Sequence, residues 1–243
     1  MLARALSSLK ATRGPLSGMW PTLQNEDWQT PPPDGSPLAT FYAWEERRVS
    51  AMREGRAGPW WYLWEPQASL SLGRREARRI GWPFPYGTEE VAIRATGGTA
   101  VPQGPGTLNL TLFTLHSERP SIESEYTRTT DALSRAFATL GHSTTVGARP
   151  GSFCDGAHNL LLGGRKLVGT AQRWAMRKGG GAVGHHHNVI LSGGDPEALC
   201  ARVEDLLKEA GLPESYDPTV HSGVPIDKEA LRHALAIPLA ERI

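Results

Sequence analysis

The strongest constraint on the fold is a pair of apolar runs that meet at Gly163 and Gly164, within residues 151–191. Gly-Gly between two strand-like runs predicts a β-hairpin with a two-residue turn, because both turn positions can require a positive φ. Side chains alternate between the two faces of a strand. We therefore predict one face with Lys166, Val168, Thr170 and Gln172, and the other with Leu167, Gly169, Ala171 and Arg173.

A thiol precedes this hairpin. Cys154 lies in a short loop bracketed by Gly151 and Gly156, and Lys166 begins the second run of the hairpin. A thiol near an ammonium group suits acyl chemistry, because the thiolate attacks a carbonyl while the lysine lowers the thiol pKa or holds the carbonyl oxygen. The alternative is a small buried cysteine and a solvated turn lysine. The local sequence leaves both interpretations open.

Composition excludes several classes of protein. The chain has 243 residues, 21% of them charged, and a net charge of +1, so we expect one folded domain and no nucleic-acid surface. No apolar run reaches the roughly 20 residues that span a bilayer, so we expect no membrane partner. Cys154 and Cys200 lie far apart without CxxC spacing, which argues against a metal knuckle or a disulfide scaffold. Reduced thiols predict a cytoplasmic protein.

The N-terminus differs in composition from the rest of the chain. We expect residues 1–35 to form an arm that a proline run closes, and residues 36–243 to form the folded domain. Arg4, Lys10 and Arg13 precede the first acidic residue, so an organellar transit peptide is an alternative to a loosely packed arm.

The order of predicted elements indicates the fold class. Helices are predicted from Ser36-Pro37, over residues 122–140, after Asp195 and from Asp227, with Glu45 and Glu46 solvated and Cys200 structural. Strands are predicted at residues 60–64, 68–72, 89–94, 107–112 and 182–191, beside the hairpin. This order favours an α+β fold with a largely antiparallel sheet that is covered on one face and flanked by helices.

Three further patterns mark candidate site residues. Arg94 is followed by Gly97, Gly98 and Thr99, and the two glycines let the chain pass close to a flat ligand or an acyl carbonyl. Asn109 faces away from the leucines of its alternating strand, where it can order a site loop. His185 and His187 share a strand face with no third ligand cluster nearby, so we predict no metal.

Four motifs, taken together and in order, resemble the catalytic domain of the biotin/lipoate protein ligase and transferase family. They are residues 64–77, 94–113, 158–173 and 185–191, and the resemblance covers about residues 38 to 210. It implies the class II biotin/lipoate ligase-like fold for the domain of residues 36–243. It also implies that Lys166 contacts the acyl carbonyl and that an octanoyl or lipoyl group contacts Arg94, Gly97, Gly98, Thr99, Asn109, Gly169, Thr170, Ala171 and His187.

The family contains two chemistries. Its ligases activate free lipoate with ATP and magnesium, and some work with a separate accessory chain. Its transferases hold the acyl chain as a thioester on a cysteine. The segment around Cys154 resembles the amidotransferase branch, which implies Cys154 as nucleophile, no required cofactor, a glycine-cleavage H-type carrier as donor and a lipoyl-domain protein as acceptor. The strand 185–191 is closer to the ligases, so an ATP-dependent ligase is the alternative, and an inactive accessory relative is the third.

Overall fold

The computed structural model describes residues 27–87 and 89–242. These residues form an α+β domain with a six-stranded sheet, a three-stranded sheet and helices on both sides. The predicted fold class is therefore confirmed. The basic segment that contains Arg4, Lys10 and Arg13, and with it most of the predicted arm, lies outside the described residues. Among the residues described, no helix has the length and apolar character needed to cross a bilayer.

The elements follow one another along the chain in a simple order. The helices are α1 (Leu38–Arg53), α2 (Arg74–Arg79), α3 (Ile122–Thr139), α4 (Pro196–Glu209) and α5 (Lys228–Ala240). The strands are β1 (Trp60–Trp64), β2 (Ser69–Gly73), β3 (Glu90–Arg94), β4 (Val101–Gln103), β5 (Thr107–His116), β6 (Thr144–Gly147), β7 (Asn159–Leu162), β8 (Arg165–Met176) and β9 (Ala182–Leu191). A short 3₁₀ turn covers Pro218–Val220.

The large sheet has the strand order β1-β5-β9-β8-β7-β6, and all its neighbours are antiparallel. The hairpin of β7 and β8 is confirmed, since Gly163 and Gly164 both have positive φ, 57° and 76°. One face of the sheet packs its leucines against α3 and α5 to form the main apolar core. The predicted inward side chains of β5 (Leu108, Leu110, Leu112) and of α5 (Leu231, Leu235) belong to this core.

The other face of the large sheet is also covered, so the expectation of one covered face is wrong. The small sheet has the order β3-β2-β4 and lies on this side together with α1 and α4. Thr111 of β5 is fully buried there, and its Oγ1 accepts a hydrogen bond from Trp64 Nε1 at 2.9 Å. Candidate site residues of β3, β8 and β9 therefore meet between the two sheets.

A β-bulge in β8 overturns the predicted division of the hairpin faces. Lys166 pairs with Leu161 and Val168 pairs with Leu160, so Leu167 is an extra residue with no cross-strand partner. An extra residue reverses the alternation beyond it. Lys166 consequently shares the face of Gly169 and not that of Val168 and Thr170 (a Cβ added to Gly169 would lie 3.4 Å from Lys166 Nζ).

Helix α1 confirms its predicted apolar stripe but not its predicted charged surface. Leu38, Phe41, Tyr42, Val49 and Met52 are all buried. Glu45, predicted to be solvated, is only 2% exposed, and Glu46 is half-buried in an ion pair with Arg173. Helix spacing explains the first error, because Glu45 lies seven residues after Leu38 and seven before Met52 and hence on the buried stripe.

The helix termini show which capping predictions hold. The residues at the predicted Ser36-Pro37 start do not cap α1 with a side chain of their own. Instead the carboxylate of Glu90 in β3 accepts the backbone N–H groups of Leu38 and Ala39, at 2.8 and 2.9 Å. Asp195 caps α4 as predicted, and Asp227, near which the last helix was predicted to start, caps α5. Cys200 is buried in α4, which agrees with the prediction of a structural cysteine on a helix.

Candidate active site

A cavity lies between the two sheets and is walled mostly by apolar atoms. The end of β3 and the start of β4 form one wall, the loop before β7 forms the second, and β8 and β9 form the third. The residues that line it are Arg94, Val101, Phe153, Cys154, Lys166, Gly169, Thr170, Ala171, His187, Val189 and Leu191.

The backbone at Cys154 adopts an unusual conformation. Within the described ranges, Cys154 is the one non-glycine residue with a positive φ, 51°. Two consecutive carbonyl groups of this loop face the same amine, because Lys166 Nζ donates to Phe153 O at 2.5 Å and to Cys154 O at 2.7 Å. A left-handed non-glycine residue costs about 1–3 kcal/mol and is often found where function requires it. The loop is thus held by Lys166, whose charge also acts on the thiol.

The electrostatics of the site favour a thiolate. Burial raises the pKa of Cys154, but the charges of Lys166 and Arg94 and a hydrogen bond from the Thr99 backbone outweigh it, so the pKa lies below its ordinary value. Burial lowers the pKa of Lys166 to about 8, against the opposing effects of Cys154 and Asp155. The lysine can therefore hold or release a proton close to neutral pH.

Arg94 organises the turn that covers the thiol. Its guanidinium is buried and donates to Gly97 O at 2.9 Å, to Thr99 O at 2.8 Å and to both oxygens of Ser71 at 2.9 Å. The ion pairs found among the described residues do not include Arg94. Its positive charge therefore acts on the cavity and on Cys154.

Gly98 is required by the close approach of these groups. Its φ is 102°, and a Cβ at this position would lie 2.5 Å from Arg94 Nη2 and 2.7 Å from Cys154 Sγ. Both distances are shorter than real Cβ contacts. Any other residue here must displace the guanidinium or the thiol.

At another part of the wall, a buried imidazole faces the cavity. His187 stacks on Trp64 and contacts the edge of Tyr42, with ring centroids 5.5 and 5.4 Å apart. Among the described residues, neither ring nitrogen has a hydrogen-bond partner. Burial lowers the pKa of His187 to about 4, so the ring is neutral at physiological pH. It can therefore donate one hydrogen bond to a ligand and accept another.

Glu45 of α1 supports the strand that carries His185 and His187, although no sequence motif marked it as a functional residue. Its Oε1 accepts from Thr111 Oγ1 at 2.6 Å and from Tyr62 Oη at 2.9 Å, and its Oε2 lies 3.2 Å from His185 Nε2. Burial alone would raise the pKa of Glu45, but His187, His185 and the hydrogen bonds lower it to about 2. Glu45 is thus a buried carboxylate held in its charged form.

The structure brings together most of the candidate residues. Seven of them line the cavity (Arg94, Cys154, Lys166, Gly169, Thr170, Ala171 and His187), while Gly97, Gly98 and Thr99 wrap Arg94 and the thiol. Asn109 lies outside the cavity wall, where its Nδ2 donates to Gln103 Oε1 at 2.6 Å. The sequence did not reveal the apolar lining residues Val101, Phe153, Val189 and Leu191, because single hydrophobic residues carry no motif.

The consecutive histidines of β9 divide between the faces as predicted. His185 and His187 are on the cavity side, with ring centroids 6.1 Å apart, and His186 lies on the opposite side near Glu125. In the part of the chain that the structure describes, no group of three or more His, Cys, Asp or Glu side chains is placed to hold a metal ion.

Comparison with a solved structure defines the class of fold. The chain superimposes on a lipoate-protein ligase A bound with ATP with a TM-score of 0.60, covering 83% of this chain and 79% of the other. The sequences are 20% identical, so the likeness establishes the lipoate ligase-like fold and no more.

The family follows from the sequence comparison. Residues 37–221 match the model of the lipoyl protein ligase A/B catalytic domain, and the chain belongs to this family. It is 35% identical over 182 residues to the octanoyl-[GcvH]:protein N-octanoyltransferase of Kyrpidia tusciae, covering 72% of this chain and 59% of that protein. A protein of the same name from Exiguobacterium sp. is 29% identical over 147 residues, covering 60% and 51%. The chain thus spans a little over half the length of these relatives.

Proposed function

We propose that the protein transfers an octanoyl or lipoyl group to a lysine of a lipoyl-domain protein through a thioester on Cys154. One observation carries the proposal: a thiol of lowered pKa lies at an apolar cavity beside Lys166, whose amine binds the carbonyls of the thiol's own loop. The two relatives named as octanoyltransferases support the same reaction. A glycine-cleavage H-type carrier that bears the acyl group as an amide is the donor.

The first half-reaction forms the thioester. The Cys154 thiolate attacks the acyl carbonyl, and the charges of Lys166 and Arg94 offset the negative charge that develops on the carbonyl oxygen. The carbon–nitrogen bond of the donor amide then breaks. The Lys166 ammonium gives a proton to the leaving amine and becomes neutral.

The second half-reaction restores the enzyme. The neutral amine of an acceptor lysine attacks the thioester, the carbon–sulfur bond breaks, and Lys166 takes the proton that the new amide releases. Because the pKa of Lys166 is about 8, the same side chain serves as acid and then as base near neutral pH. The thiolate leaves beside the two cations that stabilise it.

The cavity walls suit an alkyl chain. Val101, Phe153, Val189 and Leu191 present apolar surface next to the thiol. Each methylene that they bury contributes about 0.8 kcal/mol. Gly169 leaves the space that Lys166 occupies, since a Cβ there would lie 3.3 Å from Lys166 Cε. The predicted acyl contacts of Gly169, Thr170 and Ala171 are consistent with this wall.

ATP-dependent ligation is the second candidate, because two buried cations suit the phosphate of an acyl adenylate as well as an oxyanion. The proposed transferase needs neither ATP nor magnesium, whereas the ligase needs both and has no use for a nucleophilic thiol. An inactive accessory relative would transfer nothing under any condition.

One experiment separates the three. Octanoyl-loaded carrier protein and an unmodified lipoyl domain are incubated with the wild type or Cys154→Ala, and the mass of the lipoyl domain is followed. We expect transfer by the wild type without ATP and none by Cys154→Ala. Modification of the lipoyl domain by Cys154→Ala with free octanoate, ATP and magnesium would contradict the proposal in favour of a ligase. No transfer by either protein would indicate the accessory role.

A further inference from the structure

His221 is a buried residue that no sequence motif identified. It follows the 3₁₀ turn Pro218–Val220 and is 1% exposed. Its ring stacks on Phe153, the residue before the candidate nucleophile, with centroids 4.3 Å apart and planes 23° from parallel. The ring therefore lies directly behind the loop that carries Cys154.

The hydrogen bonds of His221 determine its tautomer. The backbone N–H of Phe153 donates to Nε2 at 3.3 Å, so Nε2 carries no proton. A neutral imidazole has one N–H, which must then be on Nδ1, where Asp217 O accepts it at 3.0 Å. The titratable groups that face the ring are Lys166, Asp217 and Cys200. Burial and the charge of Lys166 lower the pKa of His221 to about 4, so Nε2 remains an acceptor at neutral pH.

The segment around His221 also holds Lys166. Ser222 N–H donates to Lys166 O at 2.8 Å, and Lys166 and His221 form an isolated β-bridge. Asp217 N–H donates to Gly151 O at 2.9 Å, at the start of the thiol's loop. One short segment thus fastens both the thiol loop and the strand that bears the lysine.

We propose that His221 is a positioning residue: by accepting the Phe153 N–H, it keeps Cys154 in its left-handed conformation beside Lys166 and Arg94. The inference rests on the proposed function, because it assigns His221 to the same thiol. Without the acceptor, the buried Phe153 N–H has no partner, which is costly. The loop then relaxes toward another hydrogen-bond acceptor and carries the sulfur away from the two cations.

Two amide variants test this role. In His221→Gln the side-chain oxygen reaches the position of Nε2, whereas in His221→Asn it is one methylene too short. His233→Gln is the control, since His233 is exposed on α5. The readout is the pH dependence of iodoacetamide alkylation, with peptide mass spectrometry to separate Cys154 from Cys200. Folding of each variant is verified by circular dichroism.

We expect His221→Asn to shift the Cys154 alkylation profile toward higher pH, so that the thiol reacts about tenfold more slowly on the rising part of the profile for a shift of roughly one unit. His221→Gln should stay within about threefold of the wild type, and the control should be unchanged. In acyl transfer, kcat should fall in the Asn variant with little change in KM.

Identical alkylation profiles for the Gln and Asn variants, whether both are normal or both impaired, would overturn the positioning role. If neither variant folds, His221 acts in folding and the inference is also overturned. Alkylation needs no acyl donor, so an inactive wild type that still separates the two variants would contradict the proposed function and leave the positioning of the thiol intact.

Discussion

Replacing Gly98 with alanine tests how closely the thiol and the guanidinium are packed. The added methyl would lie 2.5 Å from Arg94 Nη2 and 2.7 Å from Cys154 Sγ. Arg94 cannot move aside freely, because its guanidinium is fixed by hydrogen bonds to Gly97, Ser71 and Thr99. The sulfur must therefore shift, and its distance from the cations must change.

Two contributions set the size of the effect. A non-glycine residue in this backbone conformation costs about 1–3 kcal/mol. Forcing an extra methyl into a packed site costs a further 1–3 kcal/mol or so. The total of roughly 2–6 kcal/mol corresponds to a decrease in Tm of about 5–25 °C for a chain of this size. Alkylation of Cys154 at pH 7 should slow, because displacement from Arg94 and Lys166 raises the thiol pKa.

The neighbouring glycine provides a matched control. A Cβ on Gly97 would have no other atom within 4 Å, and Gly97 does not have a positive φ. Gly97→Ala should thus keep the Tm and the Cys154 alkylation rate of the wild type. Thermal denaturation and site-resolved alkylation of both variants decide the matter. Equal Tm values and equal Cys154 alkylation rates in Gly98→Ala and Gly97→Ala would show that Gly98 is not packed tightly against the thiol and the guanidinium.

Three further outcomes are expected. Lys166→Ala should lower the transfer rate about 100- to 1000-fold, and Lys166→Arg should not restore it, because the planar guanidinium of arginine differs from a compact ammonium. The kcat/KM of the wild type should fall as pH rises through about 8, where the Lys166 ammonium is lost. A pH profile without this decrease would contradict the role of Lys166. Glu45→Gln should lower the free energy of unfolding at pH 7 by about 1.5–3 kcal/mol, because the Tyr62 and Thr111 hydroxyls then donate to a neutral amide and not to a carboxylate. Folding lowers the pKa of Glu45 to about 2, so the stability that its charge contributes is present above the ordinary glutamate pKa near 4.5 and is lost as pH falls toward 2. Denaturant titrations should therefore show the free energies of unfolding of the wild type and Glu45→Gln converging on acidification. Shortening the acyl group of the donor should lower kcat/KM about fourfold per methylene, and equal rates for acetyl and octanoyl donors would show that the cavity does not hold the chain.

The sequence revealed those parts of the fold that local rules control. The turn at Gly163 and Gly164 was predictable because two positive φ values leave few alternatives. The cap at Asp195 and the helix start near Asp227 were predictable because a short polar side chain before an apolar repeat satisfies the first free N–H groups of a helix.

Non-local packing accounts for the errors. Residue type suggested that Glu45 is solvated, although its spacing placed it on the buried stripe, and the His185 and Thr111 side chains that make its burial tolerable come from distant strands. The bulge at Leu167 depends on how β7 pairs with β8, so strict alternation assigned Lys166 to the wrong face. In β5, leucines alternate with Thr107, Asn109 and Thr111, and this alternation did not indicate that the polar face of the sheet is also covered.

The candidate site was only partly accessible from the sequence for the same reason. Cys154 and Lys166 stood out because a thiol and a lysine flank one hairpin, and family motifs marked Arg94 and the glycine turn. His221 lies 67 residues after Cys154 in the chain and reaches it only through the fold. Asn109 was chosen from strand alternation, which gives the face of a side chain but not its distance from the cavity.

The Cys154 thioester is tested most directly by the mass of the protein after incubation with an octanoyl-loaded carrier in the absence of ATP. We expect one octanoyl adduct, located on Cys154 by peptide mapping and removed by hydroxylamine. It should disappear when an unmodified lipoyl domain is added, and the octanoyl group should reappear as an amide on that domain. A wild-type protein that octanoylates the lipoyl domain while Cys154 remains unmodified, or a Cys154→Ser variant that transfers at the normal rate, would contradict the Cys154 thioester.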